Sequence, residues 1–399
     1  MVELLTPAGN LSSFNSVLKN GADSIYVGLD GLNMRNNANN FNLKEIKNLA
    51  SIVHQEDKKL YLCTNIVMKD KEIEELKTIL PEIYSYEVDA LIVSDLGMVD
   101  IAISNNLSVH LSVQNNTTNL ATLKTLKKIG VTRAILSREL SLNEIEKIAK
   151  NSPIETEIFI HGAMCMGISG RCFLSYSLYG ENANCGKCLQ PCRKEWTLIG
   201  SGDEKIILEK SNDSSYKTNF LSAKDLTMIE YVPELIKSGV DGFKIEGRGR
   251  SSDYVSTATR VFREAIDLYN NQNIDYKFNP AWLNNLKKVF NRGFDTGFYF
   301  NQPYMISKEN EATYKKKDIG KVVNYYRKIN VAELKLWDEL SINDEIIIQG
   351  ETTGSINQTV KSIEINGIPL EKGVKGENIA VTIKEKVRKN DHVYKLLKS

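Results

Sequence analysis

Short apolar or β-branched runs alternate with amphipathic runs from the first residues to about residue 272. That alternation is the pattern of repeated βα units feeding a parallel sheet. Eight strands are predicted: Val2–Leu5, Ser24–Leu29, Lys59–Ile66, Ala90–Asp95, Ser108–Val113, Arg133–Arg138, Glu155–His161 and Gly242–Glu246. Between them lie helical runs such as Leu43–Asp57, opened by Asn42 and Glu45 in a capping-box arrangement, and Ser141–Asn151 with apolar residues at helical spacing. A weak repeat marks the turns. Gly21-Ala22-Asp23, Glu87-Val88-Asp89, Gly130-Val131-Thr132 and Gly239-Val240-Asp241 each close a helix and precede a strand. The glycines among them suit a left-handed helix C-cap. Eight strands favour a closed, TIM-like (β/α)8 barrel over an open doubly wound sheet.

Two departures from this rhythm matter. Residues 163–226 form a long insertion after the seventh strand, and the C-terminal ends of barrel strands open onto the face where active sites are built. The insertion therefore belongs over that face. Past the barrel (1–272), an aromatic, asparagine-rich helical connector (273–317) leads to short strands with turn signals over 318–399. Gly320–Tyr326, Asp344–Gln349, Thr359–Glu364, a turn at Asn366-Gly367, and Asn378–Ile383 together predict a small all-β barrel domain.

Charge narrows little. The 399 residues carry 51 Lys and Arg against 50 Asp and Glu, so no global field recruits nucleic acid or an anionic membrane. No apolar stretch is long enough to span a bilayer, and the N-terminus lacks a signal-peptide pattern, so a cytoplasmic protein without a membrane partner is expected. Cysteine placement has a direction. Cys63 stands alone, whereas Cys165-x6-Cys172-x12-Cys185-x2-Cys188-x3-Cys192 crowds five thiols into the insertion. In a reducing compartment such crowding argues for metal-binding thiolates rather than disulfides. Four thiols suffice for a cubane iron–sulfur cluster or for a tetrahedral zinc, and the spacing leaves both open beside unliganded thiols. The x2-x3 order differs from the x3-x2 triad of radical enzymes that bind S-adenosylmethionine.

Polar residues gather at the predicted strand ends: Thr64-Asn65, Ser94-Asp95, Gln114-Asn115, Ser137-Arg138-Glu139, His161, and Lys244 through Arg248. His161, four residues before Cys165, either serves as a proton donor and acceptor beside the thiols or caps backbone groups. Lys244, Glu246 and Arg248 alternate and so share one face of their strand, as an ion-paired ladder in the lumen. Arg138 and Arg248 are candidate clamps for a carboxylate or phosphate, because a guanidinium donates two parallel hydrogen bonds. Cys63 reads as a small buried hydrophobe. Tyr325-Tyr326-Arg327-Lys328 and the basic set Lys384, Lys386, Arg388 and Lys389 could face nucleic acid, with a solvated charged edge as the plainer account.

These residues together resemble the peptidase U-32 (collagenase-like) family. The resemblance rests on Glu3-Leu4-Leu5-Thr6-Pro7-Ala8-Gly9-Asn10, Gly21-Ala22-Asp23 with Tyr26-Val27-Gly28, Ser137-Arg138-Glu139-Leu140, Phe159 through Cys165, Ser169 through Ser175, Cys188-Leu189-Gln190-Pro191-Cys192-Arg193, Lys244 through Arg248, and Phe290-Asn291-Arg292-Gly293-Phe294. Despite the name, it implies oxygen-independent hydroxylation with a 4Fe-4S cluster on Cys165, Cys172, Cys188 and Cys192. Cys185 stands where many members have an arginine, and is a spare or substitute ligand. One branch hydroxylates the tRNA wobble uridine at carbon 5 with prephenate as implied oxygen source, another a ribosomal RNA cytidine, and a paired set acts on ubiquinone precursors. The appended β-domain favours an RNA substrate here, tRNA ahead of rRNA, with a small carboxylate as co-substrate. His161, Glu246, Arg248 and Arg138 are the catalytic candidates, inferred from the residues themselves. A peptidase is the competing activity, yet the chain has neither H-E-x-x-H nor G-x-S-x-G. A third reading is a cluster-carrying protein that acts only with a paired homologous partner.

Overall fold

The computed structural model describes residues 1–36, 39–196, 221–272, 276–300, 307 and 310–399. Residues 197–220 of the expected insertion, and 273–275, 301–306 and 308–309 of the expected connector, lie outside the described residues. In chain order the first strands are β1 (Glu3–Pro7), β2 (Ser24–Gly28), β3 (Lys59–Thr64), β4 (Ala90–Val93), β5 (Val109–Leu111), β6 (Arg133–Ile135), β7 (Glu155–Ala163), β8 (Asp225–Thr227), β9 (Gly242–Ile245) and β10 (Phe294–Asp295). Strands β1 to β7 pair in parallel in sequence order, β9 pairs in parallel with β7, and β1 closes the ring on β9. All eight predicted strands thus form a closed parallel barrel.

Its strands read as continuous apolar runs because both their faces are covered: Ala90-Leu91-Ile92-Val93 is buried at every position. The outer helices start where the sequence supplies caps. Asn42 and Ser141 close reciprocal boxes with Glu45 and Glu144, and Asp95 accepts from the Met98 N–H. The helix expected to reach Asp57 instead ends at His54, and Asp57 takes a left-handed φ of 53° beyond it. Strand β8, antiparallel to β7 with β10 on its far side, adds a flap at the barrel mouth. At three residues it is too short for sequence periodicity to reveal.

The lower lumen is ionic. Arg133 donates to Glu3 (Nη2 to Oε2, 2.9 Å), to Glu155 (2.8 Å) and to Glu157 (3.2 Å), while Lys244 donates to Glu157 Oε1 at 2.9 Å. Burial would raise the Glu3 carboxyl, but hydrogen bonding and charge attraction from Arg133, with help from Ser24 and Tyr61, hold it down at about 2.

The C-terminal region is antiparallel β: β11 (Tyr314–Tyr326), β12 (Val331–Leu336), β13 (Leu340–Ser341), β14 (Glu345–Gly350), β15 (Gly354–Thr359), β16 (Ile363–Ile365), β17 (Ile368–Pro369), β18 (Lys372–Gly373), β19 (Asn378–Thr382) and β20 (His392–Lys398). Eight of these form one sheet in the order β15-β14-β20-β11-β12-β19-β16-β17. Gln358 of β15 donates to Thr382 O at the end of β19 and accepts from the Lys384 N–H, so the sheet curls around its own core of Val, Ile and Leu. The expected turn is present, with Asn366 and Gly367 at φ of 53° and 78°, values that suit a two-residue hairpin. The expected strand Thr359–Glu364 is divided, since β15 ends at Thr359 and β16 begins at Ile363. Strands β12 and β20 carry polar residues on their outer faces and escaped prediction.

This region grips the barrel. Lys19 and Asn15 of helix Leu11–Lys19 donate to Thr353 O (2.9 Å) and Glu351 O (3.0 Å), and Lys316 pairs with Asp253 of helix Ser252–Gln272 at 2.6 Å.

Replacing Arg133 by Met leaves Glu157 with Lys244 alone and takes the arginine from Glu3, and is expected to cost about 3–5 kcal/mol, read from the denaturant midpoint. Acid should act through Glu3. Its folded pKa of about 2 lies below the unfolded 4.5, so its contribution is complete above pH 4.5 and disappears as pH falls towards 2. An unchanged midpoint in Arg133→Met would remove the network from the account of stability.

Candidate functional site

A cavity of about 130 Å³ opens at the C-terminal ends of the barrel strands. Tyr26, Cys63, Asn65, Gln114, Arg138, Phe159, Cys165, Lys244, Glu246 and Arg248 contribute to its wall. Beside it lies an outer hollow of about 210 Å³ with Cys188, Gln190 and Arg250 in its wall, and Met34, Arg35 and Glu246 belong to both. The ion pair from Arg35 Nη2 to Glu246 Oε1 (2.8 Å) is therefore the partition between them.

Lys244, Glu246 and Arg248 do face the same side, as their alternation predicts, but they do not pair with one another. Lys244 reaches down to Glu157, Glu246 out to Arg35, and Arg248 across to Asn33. Burial pushes the Glu246 carboxyl up, yet the Arg35 charge and hydrogen bond, with Arg138 and Arg250 behind, hold it at about 2. Held so, Glu246 is an ionised anchor and a weak base while Arg35 stays in place. Arg248 is different. It is 4 % exposed, its Nη2 donates to Asn33 Oδ1, and its Nε and Nη1 have no hydrogen-bond partner. The close fit explains Gly28 on β2, where a Cβ would stand 2.5 Å from Arg248 Nη1. Arg138 lies over the Phe159 ring at 3.9 Å and donates to Ala163 O (2.8 Å), leaving its own Nε without a partner.

His161 leaves the site. Glu157 and Phe159 of β7 point into the lumen, but the register with β9 shifts between Phe159 and His161. One extra residue there turns the imidazole to the outer face, 5.6 Å from the Tyr254 ring and 5.7 Å from Phe262 and Phe294. It is 1 % exposed, neither ring nitrogen has a partner, and burial lowers its pKa to about 3, only partly offset by Glu246. The imidazole thus sits in an aromatic box on the outer face rather than in the cavity where its position in the sequence suggested an acid–base group.

Among the other strand-end residues, Asn65 and Gln114 line the cavity, whereas Asp95 caps a helix and Asn115 donates to Ser94 O (2.6 Å). Cys63 is buried as expected, although in the cavity wall, and burial pushes its thiol up. Sequence reasoning missed Arg35 and Asn33. Both sit in the asparagine-rich loop after β2, where a single arginine in a long polar segment at a strand's C-terminal end was the available signal.

The thiols of the insertion converge on this mouth. Burial raises the Cys188 thiol, opposed by a hydrogen bond from the Gln190 N–H (3.3 Å to Sγ) and by Arg35. Burial also raises Cys192, with Arg193 opposing. Cys188 feels the charges of Cys165 and Cys172, and Cys192 feels those of Cys165, Cys188 and Cys172; Cys185 is not among these strongest neighbours. Four thiols within electrostatic reach of one another, one already accepting a backbone N–H, form a donor set suited to a multivalent centre. Among the described residues, no three His, Cys, Asp or Glu side chains surround a single ion-sized point. Arg193 ties this knuckle to the barrel by donating to Ala223 O (2.6 Å) and Met164 O.

A closed (β/α)8 barrel whose mouth cavity holds several charged side chains beside a cysteine-rich insertion has the architecture of a barrel enzyme. The chain belongs to peptidase family U32, whose sequence profile matches residues 9–309. It is 45 % identical to an uncharacterised protease of Methanocaldococcus jannaschii, over 99 % of this chain and 98 % of that one. It is 35 % identical to a collagenase of Porphyromonas gingivalis, over 98 % and 97 %. To a tRNA hydroxylation protein of Bacillus subtilis it is 32 % identical, over 90 % and 86 %. Among the described residues, no helix is long and apolar enough to cross a membrane.

His161→Phe tests the reassignment. The folded pKa of about 3 lies below the ordinary 6.5, so the unfolded chain binds the extra proton and wild-type stability falls as pH drops below about 6.5. The variant should lose that part of the pH dependence and keep its activity at neutral pH. A variant that folds but is inactive would return His161 to the mechanism.

Proposed function

We propose that this chain hydroxylates RNA without molecular oxygen, acting on a tRNA wobble uridine at carbon 5 with prephenate as oxygen source. In this reading Cys165, Cys172, Cys188 and Cys192 hold a 4Fe-4S cluster. The observation that carries it is Arg248, a buried guanidinium with two unpartnered nitrogens, Nε and Nη1, in the wall of a cavity that Cys165 also lines. Buried charges are otherwise paired, so the missing partner is an anion that arrives with the substrate. A carboxylate matches the guanidinium fork, and Arg138 offers a second donor across the same cavity. The tRNA hydroxylation protein of Bacillus subtilis, alike over most of its length, supports an RNA substrate.

Four cysteine thiols suit a cubane cluster and also a tetrahedral zinc, and metal and sulfide content separates the two. When bound, the cluster supplies a redox or Lewis-acid centre at the cavity wall. The chain's own residues do the rest. Arg248 and Arg138 bind and orient the carboxylate, Lys244 is held below by Glu157, and Arg35 and Glu246 fix the partition that a base must approach from the outer hollow. A peptidase would need a nucleophile beside a base. Of the two thiols in the cavity wall, burial disfavours the Cys63 thiolate and Cys165 is a cluster ligand in this reading, and no histidine joins either in the wall.

Anaerobically purified protein should carry about four irons and four sulfides per chain. Serine at Cys165, Cys172, Cys188 or Cys192 should remove most of both; stoichiometric zinc without sulfide would exclude the cluster. Loss of the gene should remove one oxygen atom from a tRNA uridine in nucleoside mass spectrometry. A lost oxygen on a ribosomal cytidine would redirect the substrate, and peptide cleavage with an unchanged nucleoside profile would establish the peptidase. Arg248→Lys should raise the KM for prephenate at least about tenfold while RNA affinity holds, because an ammonium cannot reproduce the fork.

A further inference from the structure

A further cleft lies away from the barrel mouth. It holds about 580 Å³ between the barrel and the β-region, against helices Leu11–Lys19, Ser252–Gln272 and Pro280–Lys288. Six of its lining side chains are Lys or Arg and two are acidic. Three of those cations are spoken for: Lys316 by Asp253 (2.6 Å), Lys288 by Glu345 (3.0 Å) and Arg260 by Glu264 (2.9 Å). Lys19 reaches a carbonyl, Thr353 O. Lys315 and Lys384 are exposed and meet no carboxylate among the described residues. Asn20, Thr257, Asn285 and Asn357 add neutral polar groups to the same wall.

The cleft also leads somewhere. Phe290 lines it, and the Arg250 guanidinium lies over that ring at 4.1 Å. Arg250 in turn lines the outer hollow with Cys188 and Glu246. From Ser251 to Arg260 the cleft follows nine residues of helix, about 13 Å, long enough for more than one backbone phosphate. Unpaired lysines, neutral hydrogen-bonding groups and a cationic step to the reacting mouth match a polyanionic strand better than a compact ligand.

We propose that this cleft is a track for the phosphate backbone of the RNA, running past Arg250 to the barrel mouth. The proposal rests on RNA being the substrate class. Its cationic contacts come from both sides, Lys19 from the barrel and Lys315 and Lys384 from the β-region, which explains why the net charge of +1 hides it.

The test uses the full chain and an unmodified tRNA transcript, with affinity measured across a salt series. Lys315→Glu/Lys384→Glu should weaken binding at least tenfold near 0.1 M salt and flatten the log–log salt slope by about two. Cluster content and the midpoint of thermal unfolding should stay as in the parent. Lys124→Glu/Lys128→Glu makes the same charge change on helix Leu120–Lys128, outside the cleft, and should leave the slope near the parent's. If the parent binds the transcript and the cleft variant keeps its affinity and slope, the track is wrong while the RNA substrate stands. Equal losses in both variants would also overturn it, showing only a long-range field. A parent that binds no transcript at any salt would overturn the track and the RNA reading together.

Discussion

Glu157 is a carboxylate with no exposure at all, and the barrel can bury it only because Lys244 and Arg133 grip it from two other strands. An ion taken out of water is tolerated when its partners satisfy it, and here Arg133 passes the compensation on to Glu3 and Glu155. The consequence is positional. With Lys244 fixed by the charge beneath it, the alternation of its strand carries Glu246 and then Arg248 up the same side into the mouth. The bottom of this column is closed within the protein, and the top ends on a cation.

That asymmetry accounts for what sequence could show. The βα rhythm, the eight strands and the shared face of Lys244, Glu246 and Arg248 follow from periodicity, because lumen and outer surface alternate along a strand. Which residues then touch depends on long-range closure. Glu246 meets Arg35 across 211 positions of chain, and no local pattern announces such a pair. His161 shows the limit more sharply. A single extra residue opposite β9 reverses the face of everything after it, so a histidine placed correctly at a strand end still turns away from the pocket. The four cysteines were marked out by identity, spacing and the family resemblance, and in the structure Cys165 and Cys172 are among the groups whose charges bear on Cys188 and Cys192.

The loop after β2 joins these two halves of the site. Asn33 accepts from Arg248 and donates to Leu29 O (2.6 Å), so the loop's own fold orients the guanidinium. Two residues on, Arg35 closes the partition with Glu246 and places its charge near Cys188 and Cys165. One short segment thus coordinates the anion-seeking arginine, the carboxylate beside it and the thiol knuckle. A polar loop rich in asparagine suits the task, since its amides satisfy buried charges without adding any.

Leaving Arg248 incomplete has an energetic meaning. A buried donor without an acceptor costs about 1–3 kcal/mol, and more when it is charged. A fold that needed only stability would place a carboxylate there, as it does beside Lys244 and Arg133 below. Glu246, two residues before Arg248 and in the same cavity wall, gives its hydrogen bond to Arg35 instead. Open donors on Arg248 and Arg138, above a lower lumen whose charges are paired, leave places that a ligand's acceptors could fill.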